Sequence, residues 1–221
     1  MVKRLQADGL APDVLAAAVA GQLPPPDSSQ RQLIAIAGPP ASGKSTLAQA
    51  LVARLNAERP QAALLPMDGF HLDNGLLEAR GLLARKGAAE TFDLAGFRAL
   101  LARTKQEPSL FIPTFDRSRE LAIAASAEIK PAEKLVIVEG NYLLFDSPGW
   151  RDLAPLWDFS LFIEASLPRL RERLLARWRA QGLSEAAALA KCDGNDLPNA
   201  EQVLSRVHKA KGLVDLWLDL G

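Results

Sequence analysis

Leu33-Ile34-Ala35-Ile36-Ala37-Gly38-Pro39-Pro40-Ala41-Ser42-Gly43-Lys44-Ser45-Thr46 decides the fold. The first five residues form a short, apolar run rich in β-formers that stops at a glycine-proline turn, which reads as a buried strand. Helical periodicity resumes at Ser45 and runs to about Glu58, where Arg59-Pro60 ends it. Between strand and helix, Gly38 to Ser45 matches the pattern G-x-x-x-x-G-K-[ST] in the context that gives it meaning.

Each residue type in this loop has a physical task. The glycines let successive N–H groups face a phosphate. The helix start adds its positive dipole end. Lys44 is expected to reach the β- and γ-phosphate oxygens, and the Ser45 hydroxyl to ligate Mg²⁺. The nucleotide cradle is therefore Gly38, Pro39, Pro40, Ala41, Ser42, Gly43, Lys44, Ser45 and Thr46.

Outward from the loop, Ala63 to Met67, Leu135 to Val138 and Phe159 to Ile163 read as further buried strands, with Leu213 to Leu218 as a last one. Leu110 to Ile112 and Leu121 to Ile123 are short strand candidates. A largely helical region spans Asp73 to about Lys105, broken near Gly87 and again at Asp93, a cap for a helix beginning at Leu94. A basic helix covers about Leu167 to Gln181, and another helix about Ala200 to Lys209. Apolar strands alternating with helices predict an α/β fold: a mostly parallel sheet with helices on both faces.

The N-terminal part reads as an amphipathic helix from about Pro12 to Gln22, followed by a stiff break at Leu23-Pro24-Pro25-Pro26-Asp27. Residues 1–26 are thus expected to be an added helix and linker, and 27–221 the main domain. That helix can pack on the body or on a second subunit, so a homodimer stays open. Lys3, Arg4 and Ala18-Val19-Ala20 resemble parts of an export signal, but Asp8, Pro12 and Asp13 interrupt the apolar stretch.

The chain has 26 basic and 26 acidic side chains among 221 residues, so nothing drives long-range attraction to nucleic acid or an anionic membrane. Any anion must be held by a local site. Cys192 is the one cysteine, which excludes an intrachain disulfide and suits a reducing, cytoplasmic setting.

Two carboxylates follow strands, where ligands of open parallel sheets sit. Glu139 ends the more uniformly apolar strand, so it is expected beside the phosphate loop, serving the metal. Asp68, with His71 on the same turn, is the better proton acceptor for an attacking hydroxyl.

Several stretches together resemble a known group. Asp68-Gly69-Phe70-His71, Asn74, Leu77, Arg80-Gly81, Arg85-Lys86-Gly87 and Glu90-Thr91-Phe92-Asp93 resemble type I pantothenate kinase, and the wider pattern is shared by uridine kinase and phosphoribulokinase. Pro113-Thr114-Phe115-Asp116, with Arg117 and Arg119, resembles a uridine kinase segment. Asn195-Asp196-Leu197-Pro198-Asn199-Ala200 looks most like bacterial nucleoside/nucleotide kinase-like proteins, sometimes labelled fructose-transport-system kinases. The resemblance implies a three-layer kinase fold that transfers the ATP γ-phosphate to an alcohol, with Mg²⁺. It assigns Asp68 as base, Asp93 as a contact to sugar hydroxyls and Glu139 as a metal-site residue. It also makes the basic helix an arginine-bearing lid (about 167–198). Within that helix Arg173 and Arg177 lie four apart on one face and are the expected phosphate contacts.

His71, Asp93, Phe115 and Arg117 are the acceptor-site candidates. Asp93 suits a polyol and Arg117 an anionic acceptor, so sugar, sugar phosphate and pantothenate-like acid all stay open, with a sugar-like polyol first. Asn195, Asp196 and Asn199 shape the lid or nucleotide pocket on the resemblance, or form a turn and a helix cap on their own chemistry. Two other classes compete. A GTPase switch would need an Asn-Lys-x-Asp segment, and none is present. A non-catalytic nucleotide-binding module would leave the two carboxylates and the arginines without a task.

Overall fold

The computed structural model describes residues 3–25, 30–207 and 213–221. Its centre is β2 (Gln32–Ala37), hydrogen-bonded in parallel to β6 (Leu135–Gly140) on one side and β7 (Phe159–Glu164) on the other. β3 (Ala62–Pro66) flanks β6. β8 (Leu216–Asp219) flanks β7, and β1 (Lys3–Gln6) lies outside β8. The order β1-β8-β7-β2-β6-β3 is parallel throughout the described residues.

The alternation along β2 shows why the sheet is covered twice. Leu33, Ala35 and Ala37 join Val136, Val138 and Phe97 in the core on one face. Ile34 and Ile36 join Ile137, Leu161, Leu47 and Leu51 on the other. A strand's side chains alternate between faces, so a uniformly apolar strand requires both to be buried. The second face is covered by α1 (Pro12–Ala20), α2 (Lys44–Leu55) and Leu170 of α5 (Leu167–Ala180). The first is covered by α4 (Leu94–Gln106) and an aromatic group of Phe92, Tyr142, Phe145 and Trp150. Between β3 and α4 lie α3 (Asn74–Ala79) and short 3-10 turns. After α5 come α6 (Glu185–Lys191), a π-helical turn at Cys192–Asp196 and α7 (Leu197–Ser205).

Two expectations change. The N-terminal segment is no appendage: β1 completes the sheet edge, Leu5 faces Leu218, and Ala16 and Val19 of α1 are buried with α2. The end of the proline linker lies outside the described residues, as does Lys209, and the helix expected to run from about Ala200 to that residue is α7, which ends at Ser205. The two short strand candidates are longer, forming an antiparallel hairpin of β4 (Leu110–Asp116) and β5 (Leu121–Ile129). Arg31 anchors its base. The buried guanidinium donates to the carbonyls of Thr104, Glu107, Pro108, Lys130 and Glu133, which satisfies a charge that would otherwise be costly inside the protein.

No helix among the described residues is long and apolar enough to cross a membrane.

Candidate active site

The chain leaves β2 for β3 on one side and returns to β7 on the other, so β2 ends where the strand order reverses, the place where open α/β sheets bind ligands. Gly38 to Gly43 form the loop there. Gly43 has φ of 90°, a left-handed conformation that glycine accepts at no steric cost, and it opens α2 directly. Ala41 has φ of 62° in the same loop. A non-glycine residue held there costs on the order of 1 kcal/mol or more and marks backbone shaped for a purpose. No side chain caps α2 and its first turn carries no acid, so its N–H groups are left for an anion.

One large cavity of about 1260 Å³ opens over this loop. Its walls include Pro40, Ala41, Gly43, Lys44, Ser45 and Thr46 from the loop, Asp68, Glu139, Arg173 and Arg177. Gly38 and Pro39 are not among its walls, and Ser42 lines a smaller recess beside it. Pro39 accepts a 2.9 Å hydrogen bond from Lys44 Nζ. Lys44 is buried, and burial lowers its pKa to about 8, opposed by the nearby Glu139 and Asp68 carboxylates. It keeps its proton at neutral pH. Glu139 faces Ile36 of β2 across the ladder, one strand from the loop, as expected. Burial, and then the neighbouring Asp68, pushes its carboxyl up from the usual range, while Lys44 and a hydrogen bond to Ser45 pull it back.

Asp68 follows β3 and reaches the same cavity. Its backbone is held by a close approach: a Cβ on Gly69 would lie 2.5 Å from the Pro113 carbonyl oxygen of the hairpin. The hairpin returns to Asp68 through Arg117, whose guanidinium pairs with the carboxylate at 2.6 Å. Asp116 sets the tip by accepting from the Ser118 and Arg119 N–H groups. His71 stacks on Phe92 with ring centroids 4.1 Å apart, lies 4.8 Å from Phe115, and has Nε2 3.9 Å from Asp68. Burial lowers its pKa to about 4, so it is neutral. His71, Phe115 and Arg117 all line the cavity.

Asp93 does not. Its carboxylate accepts from Gly96 N at 2.9 Å and caps α4, and the side chain is exposed outside the cavity walls. The cap foreseen in the sequence is real, and it occupies the group that the resemblance gave to sugar hydroxyls.

The basic helix divides its arginines. Arg169 binds Asp8 and the Leu220 carbonyl, and Arg171 forms a two-pronged pair with Asp193. Arg173 and Arg177 face the cavity, and Arg173 reaches the Ala41 carbonyl of the loop at 3.4 Å. Arg177 has a buried Nε without a partner. Burial of Leu170, Leu174 and Trp178 on the stripe directly beside them fixes this orientation.

The donors beside the loop also fit Mg²⁺. Ser45 Oγ and the Glu139 carboxylate are hard oxygen ligands, and among the described residues no cluster of three or more His, Cys, Asp or Glu stands ready to cage a metal alone. Such a pair suits an ion held mainly by phosphate oxygens and water.

Lys86, Asn141 and the segment Asn195 to Asn199 complete the cavity. Asn195 and Asn199 had no derived role in the sequence, because Arg85 and Lys86, to which they bond, are more than a hundred residues away. Asn195, Asp196 and Asn199 do not form the cap considered for them: Asp196 precedes α7 without a side-chain capping bond and instead accepts from Trp178 Nε1 at 2.6 Å.

The model of the Phosphoribulokinase / Uridine kinase family matches residues 33–181, from the first residues of β2 through the end of α5. The chain belongs to that family. A candidate fructose transport system kinase from Silicibacter sp. TM1040 is 47% identical, with TM-score 0.85, covering 95% of this chain and 99% of that one. A candidate uridine kinase of Schizosaccharomyces pombe is 34% identical over 77% of each chain. A pantothenate kinase of Coxiella burnetii is 28% identical over 88% of this chain and 69% of its own length. The protein is a P-loop kinase, a phosphotransferase acting on hydroxyl groups, and ATP is the nucleotide the family implies.

Proposed function

We propose that this kinase transfers the ATP γ-phosphate to a hydroxyl of a small metabolite, a sugar or sugar-like polyol first, with Asp68 as general base. The observation that carries the reading is the shared cavity, in which Lys44 and the open start of α2 meet the Asp68 carboxylate. The triphosphate lies along Gly38 to Thr46, its charge met by Lys44, Arg173 and Arg177. A second recess of about 380 Å³ shares Ala41, Gly43, Thr46 and Arg173 with the first and is walled by Leu10, Leu15, Leu218 and Leu220. An apolar slot beside the Arg169 and Arg173 guanidinium groups suits a planar base.

At the other end, an acceptor hydroxyl gives its proton to Asp68 as its oxygen bonds to the γ-phosphorus. The bond from that phosphorus to the bridging oxygen breaks, and ADP leaves. Mg²⁺, held by Ser45 and Glu139, would offset phosphate charge during transfer. Arg117 must yield some of its hold on Asp68 for the carboxylate to take a proton. His71 and Phe115 supply a neutral aromatic wall for the carbon skeleton, and the helix bearing Arg173 and Arg177 serves as a lid excluding water. The candidate fructose transport system kinase favours the sugar. The pantothenate and uridine kinases among the relatives keep an acid or a nucleoside as the second reading.

ADP release with Mg²⁺-ATP and, one at a time, D-fructose, D-fructose 6-phosphate, pantothenate and uridine tests this. Turnover should depend on one acceptor class. Nucleotide hydrolysis indifferent to every alcohol would overturn the proposal.

A further inference from the structure

We propose that Asn195 is a positioning residue for the acceptor end of the cavity, acting through the Arg85–Gly87 turn with Arg85 and Asn199 as its partners. The inference rests on the kinase reading above and deepens it.

Asn195 and Asn199 are buried to 6% and 3% exposure. The Asn195 Nδ2 donates to the Lys86 carbonyl at 2.8 Å, and its Oδ1 accepts from Arg85 at 3.0 Å. Asn199 Oδ1 accepts the other arm of Arg85 at 3.2 Å, and its Nδ2 donates to Asn195 Oδ1 at 3.3 Å. From the far side, Tyr142 Oη donates to the Gly87 carbonyl at 2.8 Å. The backbone of this turn is thus held by side chains from two directions. Buried carboxamides are tolerated only when bonded, and both oxygens and both nitrogens of this pair are.

What the turn carries is Lys86. Its ammonium donates to Asn74 Oδ1 and to the Glu120 carbonyl, each at 2.6 Å, and lies 5.0 Å from the centre of the Phe115 ring. Lys86 therefore ties α3 and the hairpin tip together, beside the Arg117 that pairs with Asp68. The π-helical turn at Cys192–Asp196 feeds Asn195 into this contact, and Asn199 follows four residues later on the same face. Trp178 on the arginine-bearing helix grips the adjoining Asp196. The chain of contacts runs from the phosphate side to the acceptor side, and it ends on a cavity-lining side chain.

The test compares wild type with Asn195→Ala, Asn195→Asp, Lys86→Met and the Lys86→Met/Asn195→Ala double variant. Asn195→Asp is the discriminating change, since it keeps an acceptor for Arg85 and Asn199 but turns an oxygen toward the Lys86 carbonyl. Amide hydrogen exchange across residues 82–91, with Mg²⁺-ATP present, should rise about tenfold or more in both Asn195 variants, the scale of one lost buried hydrogen bond. For whichever of D-fructose, D-fructose 6-phosphate, pantothenate or uridine the wild type phosphorylates fastest, KM for the acceptor should rise about tenfold while KM for ATP stays within about twofold. The double variant should be little worse than Lys86→Met alone, because both remove one function. Unchanged exchange in residues 82–91, equal shifts in both KM values, or full additivity would each overturn the proposal. If the wild type phosphorylates none of the four, the acceptor reading fails by itself, and the exchange arm still decides whether Asn195 holds the turn.

Discussion

Arg177→Met should make the protein without nucleotide more stable and at the same time nearly inactive. The Arg177 Nε is buried without a hydrogen-bond partner, and among the described residues no carboxylate oxygen lies within 4.0 Å of its guanidinium. Burial lowers its pKa from the ordinary arginine value. A buried donor left unsatisfied costs about 1–3 kcal/mol. Two terms oppose the gain from removing it. The guanidinium lies 4.6 Å from the Trp178 ring centre, a contact of about 0.5–1 kcal/mol, and part of the group reaches the cavity, where water relieves some of the cost. Lys191 sits over the same ring at 3.9 Å, so losing one of two cations there also removes repulsion. Methionine keeps most of the apolar stem. The balance is a stabilisation of about 1 kcal/mol, or ~2–4 °C in Tm for a chain of this size. Differential scanning calorimetry without nucleotide reads that shift, and a coupled ADP assay reads the loss of turnover, which should exceed about a hundredfold if the arginine meets transferring charge. A lower Tm than wild type would show that Arg177 is a structural residue. A higher Tm with unaltered turnover would show that its charge has no part in the reaction.

Asp68→Asn should leave ATP binding by calorimetry nearly intact and lower kcat by about a hundredfold or more, the scale of a lost general base; an unchanged kcat would remove the base assignment. Gly69→Ala should lower activity and stability together, since its Cβ would strike the Pro113 carbonyl oxygen at 2.5 Å and push the hairpin from Asp68. A thermal melt and ADP assay indistinguishable from wild type would refute this. His71 has a folded pKa of about 4, below its ordinary 6.5. Its depressed value contributes stability in full above pH 6.5, lost as pH falls from 6.5 toward 4 because the unfolded chain takes the proton first. The loss amounts to on the order of 3 kcal/mol. Urea unfolding at several pH values should show this extra acid lability in wild type and not in His71→Gln, and parallel curves would mean that His71 is not held neutral.

The parts of this site that were legible in the sequence share one property: their signal is local. Leu33 to Thr46 carries strand, turn and helix in fourteen adjacent residues, and each choice supports the next. Asp68 and Glu139 were found because a carboxylate directly after an apolar run has a predictable place at a strand end. Arg173 and Arg177 were found because a spacing of four puts both on one face of the helix, next to the buried stripe of Leu170, Leu174 and Trp178. The misses have the opposite character. β1 is the polar run Lys3-Arg4-Leu5-Gln6 at an exposed edge, and it becomes a strand only because Leu216 to Asp219 offers a partner from the other end of the chain. The hairpin outgrew its two apolar triplets because pairing continues to Asp116 at one end and resumes at Ala127 to Ile129 beyond an irregularity at Ala124 to Ser126, which apolar triplets alone do not announce. Asp93 shows a different failure: one carboxylate suited two tasks, and the local one, three residues from Gly96, prevailed over the distant one. Asn195 reverses that outcome. With Asp196 giving α7 no side-chain cap, the local use of this polar cluster fails, and its amides bond across the cavity to residues 85 and 86 instead. The same residue types that close a helix when a free N–H lies within reach become cross-links when burial removes that option, so the informative polar residues in this chain are the ones whose nearest obvious partner is not the one they take.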